Sequence, residues 1–211
     1  MGFDWTMAAT CISAMAAVVA LFLSGQQIRL SNKQSLFDRR VAVWLTTLGL
    51  LELYKGNECH LKKKDEPQLA LDFVFVWLTN NTFLCEISPV ATHPLEAEYR
   101  QRFLIKIEEL KHLALEAGYI FKGTPSNSIS SFIADYQNLL LAIYRYQVLM
   151  HEVKKNADRF CWTLERSCKE VDEFGYRKEL YAAYDAIACS YGNLINEKMR
   201  RKVENQIRLV R

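Results

Sequence analysis

Residues 5–24 read WTMAATCISAMAAVVALFLS and carry no charged side chain. An α-helix rises about 1.5 Å per residue, so a helix over this stretch is about 30 Å long, the thickness of the hydrocarbon core of a bilayer. The length and apolar character of the run predict a transmembrane helix. We therefore expect an anchor over residues 1–25, followed by a helical domain over residues 26–211.

Two other interpretations of this run remain open, namely a cleaved signal peptide and a buried core helix. A signal peptide carries basic residues before its apolar run, whereas the only charge here is that of Asp4. A core helix is compatible with a run that is rich in alanine and only moderately hydrophobic. We favour a single uncleaved anchor, because Gly25 leads directly into further helix-forming sequence.

The distribution of basic residues predicts the orientation of this anchor. No basic residue precedes the run, and four follow it closely: Arg29, Lys33, Arg39 and Arg40. Basic residues near a span tend to stay on the cytoplasmic side. We expect the N-terminus outside, a single pass, and the rest of the chain in the cytoplasm.

Small and hydroxyl side chains lie along one side of the predicted span. Thr6, Thr10, Ser13 and Ala17 follow one another at helical spacing. Helices in lipid associate through close backbone contact at small side chains. The pattern is typical of an oligomer face or a pore lining, although alanine is also simply a good helix former, and both interpretations stay open.

Composition limits the remaining function classes. Half of the 211 residues are hydrophobic and the formal net charge is only +3, which argues against disorder and against nucleic-acid binding by charge alone. The six cysteines show no CxxC spacing, which argues against a zinc site and is typical of a reducing compartment. The chain carries no Walker loop, dinucleotide turn, HExxH or nucleophile elbow, so we expect no cofactor and no metal.

Helical periodicity over almost every long segment predicts an all-α bundle. The leading helix should end at residues 56–57, and a charged loop should follow over residues 62–67. A second helix is expected from Pro67, with a strand as an alternative over residues 73–78. A third should end at Gly118, and residues 123–128 should be a loop. A fourth is expected over residues 130–155. Residues 156–158 should either kink that helix or start a fifth, which would run to about residue 175, and a last helix is expected from Tyr176 onward.

One pair of side chains on the fourth helix could carry chemistry. Arg145 and His151 are separated by five residues. This spacing resembles the Arg-x(4–6)-His motif of HEPN domains, which are all-α bundles that commonly dimerise. The resemblance implies that the motifs of two protomers face each other and act on an RNA phosphodiester, with histidine moving a proton and arginine holding a phosphate oxygen.

The sequence departs from that family at the next residue. Active HEPN nucleases usually place Asn, Asp or His directly after the arginine, and this chain has Tyr146. Catalysis therefore stays open, and we lean against an enzyme. The plain alternative is an Arg145 that pairs with a nearby acid, and a His151 at the wet end of a helix; the candidate acids are Asp135, Glu152 and Glu165.

The combination of an N-terminal span, a helical bundle and a HEPN-like motif is similar to the small accessory proteins of type VI-B CRISPR loci. The similarity covers nearly the whole chain in architecture, but only Arg145 and His151 in motif. It implies a protein of the bacterial inner membrane that oligomerises into a pore, acts with an RNA-guided RNA-cutting effector and strengthens antiviral defence. A membrane-tethered ribonuclease and a non-catalytic membrane scaffold are the alternatives.

Basic residues cluster near the C-terminus, where they could contact RNA phosphates or anionic lipid. A solvated helix face would have the same composition. The residues concerned are Lys198, Arg200, Arg201, Lys202, Arg208 and Arg211.

Overall fold

Apolar side chains at helical spacing fold the chain into α-helices joined by short connections. The computed structural model describes the backbone of residues 5–208 and the side chains of residues 13 and 15–208. Within that part of the chain there are seven α-helices and no strand, which confirms the predicted all-α class. The helices are α1 (Trp5–Asn57), α2 (Leu71–Leu78), α3 (Ala97–Ile120), α4 (Thr124–Phe160), α5 (Leu164–Glu170), α6 (Glu173–Ile195) and α7 (Glu197–Ile207). Two 3₁₀ segments, Glu58–His60 and Cys85–Ala91, lie between them.

The long helix α1 has two halves with different surroundings. It runs without interruption through residue 25 and ends at Asn57, as expected. Every described side chain from Ser13 to Leu36 is exposed, and the first buried residue is Val43. The first half of α1 therefore projects beyond the bundle, and the second half packs into it. Among the residues whose side chains the structure describes, 13 and 15–208, no helix is both long enough and apolar enough to cross a membrane.

Helix α4 lies at the centre of the bundle. It packs along α3 on one side and α6 on another. Its inward positions recur three or four residues apart and are fully buried, which is the apolar stripe expected of a core helix. These residues are Ile129, Phe132, Ile133, Tyr136, Leu139, Leu140, Ile143 and Tyr146.

The projecting helix is fixed to the bundle at Arg40. Its Nε donates a hydrogen bond to the carbonyl of Ile120 over 2.7 Å, and its Nη1 donates to the carbonyl of Gln206 over 3.0 Å. Ile120 ends α3, so its carbonyl has no partner within that helix. Arg40 thus ties α1 to the ends of α3 and α7.

The second and fourth helices do not begin where the sequence predicts. Helix α2 begins at Leu71 rather than Pro67, and its residues 73–78 are helical, so the strand alternative is wrong. Helix α4 begins at Thr124, inside the predicted loop. Pro125 suits a first helical turn, and the Ser126 hydroxyl donates to the Gly118 carbonyl over 2.8 Å.

Three other predicted boundaries are also wrong. Helix α3 continues through Gly118 to Ile120, because Ile120 is buried in the core. Helix α4 passes residue 155 and reaches Phe160, so residues 156–158 belong to it and do not start a fifth helix. The last segment is two helices, because the Asn196 side chain caps α7 by accepting a 3.0 Å hydrogen bond from the Lys198 N–H.

Candidate functional site

The motif residues Arg145 and His151 do not meet within one chain. Both lie on α4, six residues apart, so they point about 120° apart around the helix axis. Both side chains are exposed. His151 lines a cavity beside α4, and Arg145 does not. Among the described side chains, Arg145 forms no ion pair, so the pairing suggested by the sequence is not seen.

His151 is held in one orientation by its own helix. Its Nδ1 lies 3.0 Å from the Gln147 carbonyl oxygen. A carbonyl can only accept a hydrogen bond, so Nδ1 carries the proton and the neutral ring keeps its lone pair on Nε2. The side chain therefore offers an acceptor at the edge of the cavity.

Tyr146, which stands where the HEPN motif usually has a small polar residue, belongs to the core. Its hydroxyl donates to Glu173 Oε1 and accepts a 3.1 Å hydrogen bond from the Gln68 N–H. Burial, reinforced by the hydrogen bond to Glu173, raises the pKa of Tyr146. Glu173 is also buried and lies 3.3 Å from Arg177 Nε. Tyr146 is thus a structural link between α4, α6 and the loop before α2.

The charged loop over residues 62–67 is present as predicted, and α6 holds it in place. Arg177 Nη1 donates to the carbonyl of Asp65. One turn later, the Tyr181 hydroxyl donates to the Lys64 carbonyl over 2.6 Å. Asp185, one turn further, lies 2.6 Å from Lys63 Nζ. These contacts position the loop that leads to Gln68 and the cavity.

The cavity beside His151 has a volume of about 400 Å³. It is bounded by α2, α4, the loop before α2 and the start of α5. Apolar side chains form much of its wall: Leu69, Leu71, Met150, Val153, Ala157 and Leu164. Its polar lining side chains include Asp72 and Gln147, with His151 and Lys154 exposed on the same face of α4. An apolar cavity with a few polar groups is the usual form of a small-molecule site.

Gln147 is the least expected residue of this cavity. It is only 1% exposed, and its Nε2 donates to Asp72 Oδ1 over 3.0 Å. Its Oε1 has no hydrogen-bond partner among the described residues. Neither motif nor spacing in the sequence singles out Gln147; the one available signal is that it is a polar residue within the apolar run of α4.

The candidate residues for an oligomer face or pore lining belong to the first turns of α1 and do not line this cavity. Ser13 and Ala17 are exposed on the projecting half of α1, whereas the side chains of Thr6 and Thr10 lie outside the described residues. Within the described side chains, no group of His, Cys, Asp and Glu could hold a metal ion.

The basic C-terminal cluster is partly neutralised. Arg200 lies 3.3 Å from Glu204, and Arg201 lies 3.8 Å from Glu197. Lys202 Nζ donates to the Thr124 hydroxyl over 3.2 Å. Lys198 and Arg208 are exposed, and Arg211 lies outside the described residues. This arrangement is closer to a solvated helix face than to a concentrated basic patch.

No family model, curated protein or solved structure matches the chain.

Proposed function

We propose that this chain is a membrane-anchored protein whose leading helix sits in the bilayer and associates there with other copies of itself. The observation that supports the proposal most is the exposure of the first half of α1. Val18, Leu21 and Phe22 are 66%, 75% and 65% exposed, in a stretch of α1 where every described side chain is exposed. A contiguous apolar surface of this kind is typical of a membrane or partner interface.

The proposal takes the apolar run as a whole, over residues 5–24. Its uncharged sequence matches the thickness of the hydrocarbon core. Apolar side chains occupy all sides of the helix, since residues 18–23 are consecutive and all exposed. A surrounding lipid phase would cover such a helix, whereas packing on the bundle would leave one side polar.

Self-association is the second part of the proposal. Small residues on α1 let two helices approach closely in lipid, where there is little hydrophobic drive for association. The face concerned is Thr6, Thr10, Ser13 and Ala17. The proposed oligomer forms a pore, and the hydroxyls of this face line it.

The biological role rests on the resemblance to type VI-B accessory proteins. In that role the oligomer acts beside an RNA-guided RNA-cutting effector at the bacterial inner membrane and increases antiviral defence. Loss of membrane potential when the chain is expressed with the active effector would support this role. An unchanged potential would leave a non-catalytic scaffold as the better description.

Size measurement in detergent tests the oligomer. We expect the full chain to run as a multimer by mass photometry, and Ala17→Ile to reduce its size by blocking close helix contact. Leu21→Ile, which keeps the side-chain volume, is the matched control and should leave the size unchanged. A monomer in the unmodified protein would rule out both oligomer and pore.

The ribonuclease alternative receives no support from the arrangement within one chain, because Arg145 lies outside the cavity that His151 lines. Labelled RNA incubated with the protein and with an Arg145→Ala, His151→Ala double variant distinguishes the two functions. We expect no cleavage by either protein. Cleavage that the double variant abolishes would restore the ribonuclease and replace the proposed function.

A further inference from the structure

The four basic residues that follow the apolar run of α1 have two different surroundings. Arg39 lies 3.1 Å from Glu116, and Arg40 is bound to two main-chain carbonyls, so both fasten α1 to the bundle. Arg29 and Lys33 are exposed and form no ion pair with any described side chain. These two cations are therefore available to an external anion.

No negative charge of the chain lies beside these two cations in the sequence. Residues 5–37 contain no aspartate or glutamate, and the first acid after the apolar run is Asp38. Arg29 and Lys33 are four residues apart, so their side chains are neighbours on one side of the helix. Like charges at this spacing repel each other, and an anion held between them removes that repulsion. The charge of this segment complements a negatively charged surface.

Both side chains lean toward the bilayer that the proposed anchor occupies. In an α-helix the Cα–Cβ bonds tilt toward the N-terminus, which in α1 is the end with the apolar run. The Cα atoms of Arg29 and Lys33 lie about 8 Å and about 14 Å along the axis from Ser24, the last residue of that run. The headgroup layer is about 5–8 Å thick, so long side chains that extend toward it reach its phosphates.

The bundle is held further from the headgroups than these two residues. Arg40 lies about 24 Å along α1 from Ser24. It contacts Ile120 and Gln206, so this end of the bundle lies at the same level. For a helix along the bilayer normal, that level is more than one Debye length, about 8 Å, beyond the headgroup layer. Contact with headgroups is therefore left to the exposed half of α1.

Arg29 also points away from the proposed oligomer face. It is 16 residues from Ser13, which places the two side chains about 160° apart around the axis of α1. It is 11 residues from Arg40, so it lies within about 20° of the side that packs on the bundle. Copies that meet through the Ser13 side leave Arg29 and Lys33 facing the surrounding lipid and not the pore.

We propose that Arg29 and Lys33 form a binding surface for the headgroups of anionic phospholipids, with one phosphate between the guanidinium and the ammonium group. This surface depends on the proposed membrane anchor and adds to it a preference for one class of lipid. Charge-assisted hydrogen bonds from two adjacent cations hold a phosphate, and each basic residue near an anionic membrane surface adds to the attraction. A zwitterionic headgroup carries its own ammonium group and is therefore bound less well.

Spin-labelled lipids test this preference on the full chain in vesicles of equal parts phosphatidylglycerol and phosphatidylcholine. Electron paramagnetic resonance separates label at the protein surface from label in the free bilayer. We expect the phosphatidylglycerol label to associate at least about twofold more strongly than the phosphatidylcholine label. The difference should disappear at about 1 M salt, where the Debye length is about 3 Å. Equal association of the two labels, or a preference that this salt concentration leaves unchanged, would overturn the proposed surface.

Variants assign the preference to these two residues. Arg29→Gln with Lys33→Gln should remove most of it, whereas Arg29→Lys with Lys33→Arg keeps both charges and should keep it. The matched control is Arg200→Gln with Arg201→Gln, which removes the same number of charges from exposed positions of α7 and should leave the preference unchanged. A preference that the control loses and the glutamine variant of α1 keeps would place the lipid contact on α7 and contradict the proposed surface.

Incorporation into the vesicles distinguishes this proposal from the anchor on which it depends. Protein that incorporates and shows no lipid preference overturns the binding surface alone. Protein that remains in the aqueous phase contradicts the anchor itself. Both leaflets of these vesicles contain the same lipids, so the orientation of the chain does not affect the comparison.

Discussion

Tyr146 occupies a position of the HEPN-like motif, but in this chain it is a buried packing residue. In sequence it is the residue that departs from the HEPN pattern after Arg145. In the structure it is fully buried and joins α4 to Glu173 of α6 and to the backbone of Gln68. A residue with this many buried partners is required for packing, and it is not free to take a catalytic part.

This role of Tyr146 predicts a loss of stability in Tyr146→Phe. The substitution keeps the ring but leaves Glu173 and the Gln68 N–H each without one hydrogen-bond partner. We expect a loss of about 1–3 kcal/mol in the free energy of unfolding, measured by thermal unfolding in detergent. Tyr119→Phe is the control, because Tyr119 is 85% exposed, and it should change little. Equal stability of the two variants would contradict the proposed link.

Buried tyrosines also predict how stability depends on pH. Burial, with smaller contributions from Glu58 and Tyr191, raises the pKa of Tyr54 to about 12. Burial also raises the pKa of Tyr136 and Tyr184. In each of these tyrosines the folded-state pKa lies above the unfolded value of about 10. The contribution of the neutral tyrosine to the free energy of unfolding is therefore fully present below about pH 10, and it is lost as pH rises toward the folded pKa.

The expected result is a fall in stability at alkaline pH. Each such tyrosine contributes a slope of up to about 1.4 kcal/mol per pH unit above about pH 10. The measurement is the unfolding midpoint between about pH 8 and pH 11, together with phenolate absorbance. A midpoint that stays constant over this range, or tyrosines that ionise in the folded state at their ordinary pKa, would contradict the burial described.

At the scale of elements, the sequence predicts which segments are helices better than where they begin and end. The pattern of α4 is clear because its inward residues recur at helical spacing. The sequence does not identify its start at Thr124, because glycine, proline and serine at residues 123–126 are typical of both a loop and a first helical turn. The partner that decides between them, the carbonyl of Gly118, comes from another helix.

The end of α3 shows the same limit. Gly118 is a common stop signal, yet the helix continues because Ile120 and Phe121 are buried. Burying two large apolar side chains gains more free energy than the roughly 1 kcal/mol that a helical glycine costs. Tertiary packing of this kind cannot be read from a local pattern.

Gly118 and Gly123 lie near the junction of α3 and α4, and we expect their substitution by alanine to have opposite effects on stability. At Gly118 a Cβ would meet only Ser130 Oγ at 3.9 Å, so Gly118→Ala should stabilise the protein by about 0.5–1 kcal/mol. Gly123 has φ +66°, where an L side chain is strained, so Gly123→Ala should destabilise it by about 1 kcal/mol. Thermal unfolding of both variants is the measurement. Destabilisation by Gly118→Ala would mean that α3 ends where the sequence suggests.

The candidate site was only partly predictable for a similar reason. The spacing to Arg145 makes His151 a candidate from sequence alone, and in the structure His151 lines a cavity. Asp72 and Gln147 are 75 residues apart, and their hydrogen bond depends on α2 packing beside α4. A single sequence gives no direct sign of that contact, whereas the polar character of Gln147 within an apolar helix was visible.

At the scale of the whole molecule, one long helix joins two environments. Its second half is part of the core, and Arg40 fixes it to the ends of α3 and α7. Its first half extends from the bundle with its apolar side chains uncovered. The rigid connection means that any association of the projecting helices would also set the positions of the bundles relative to one another.

We propose above that the projecting half of α1 lies in the membrane. Arginine substitutions on this half test its position, and arginine substitutions on the bundle serve as the control. A basic residue at the centre of a span costs about 2.5–3.5 kcal/mol. We therefore expect a Val18→Arg, Leu21→Arg double variant to lose membrane association. The control is Leu104→Arg with Ile105→Arg, because these residues are 50% and 49% exposed on α3 of the bundle. The control should remain with the membrane.

The most direct measurement is flotation of carbonate-washed membranes from cells that express the full chain. We predict that the protein floats with the lipid and is released only by detergent, and that the Val18→Arg, Leu21→Arg variant stays in the dense aqueous fraction. Recovery of the unmodified protein as an unaggregated species in the aqueous fraction, without detergent, would contradict the membrane anchor and the function proposed from it.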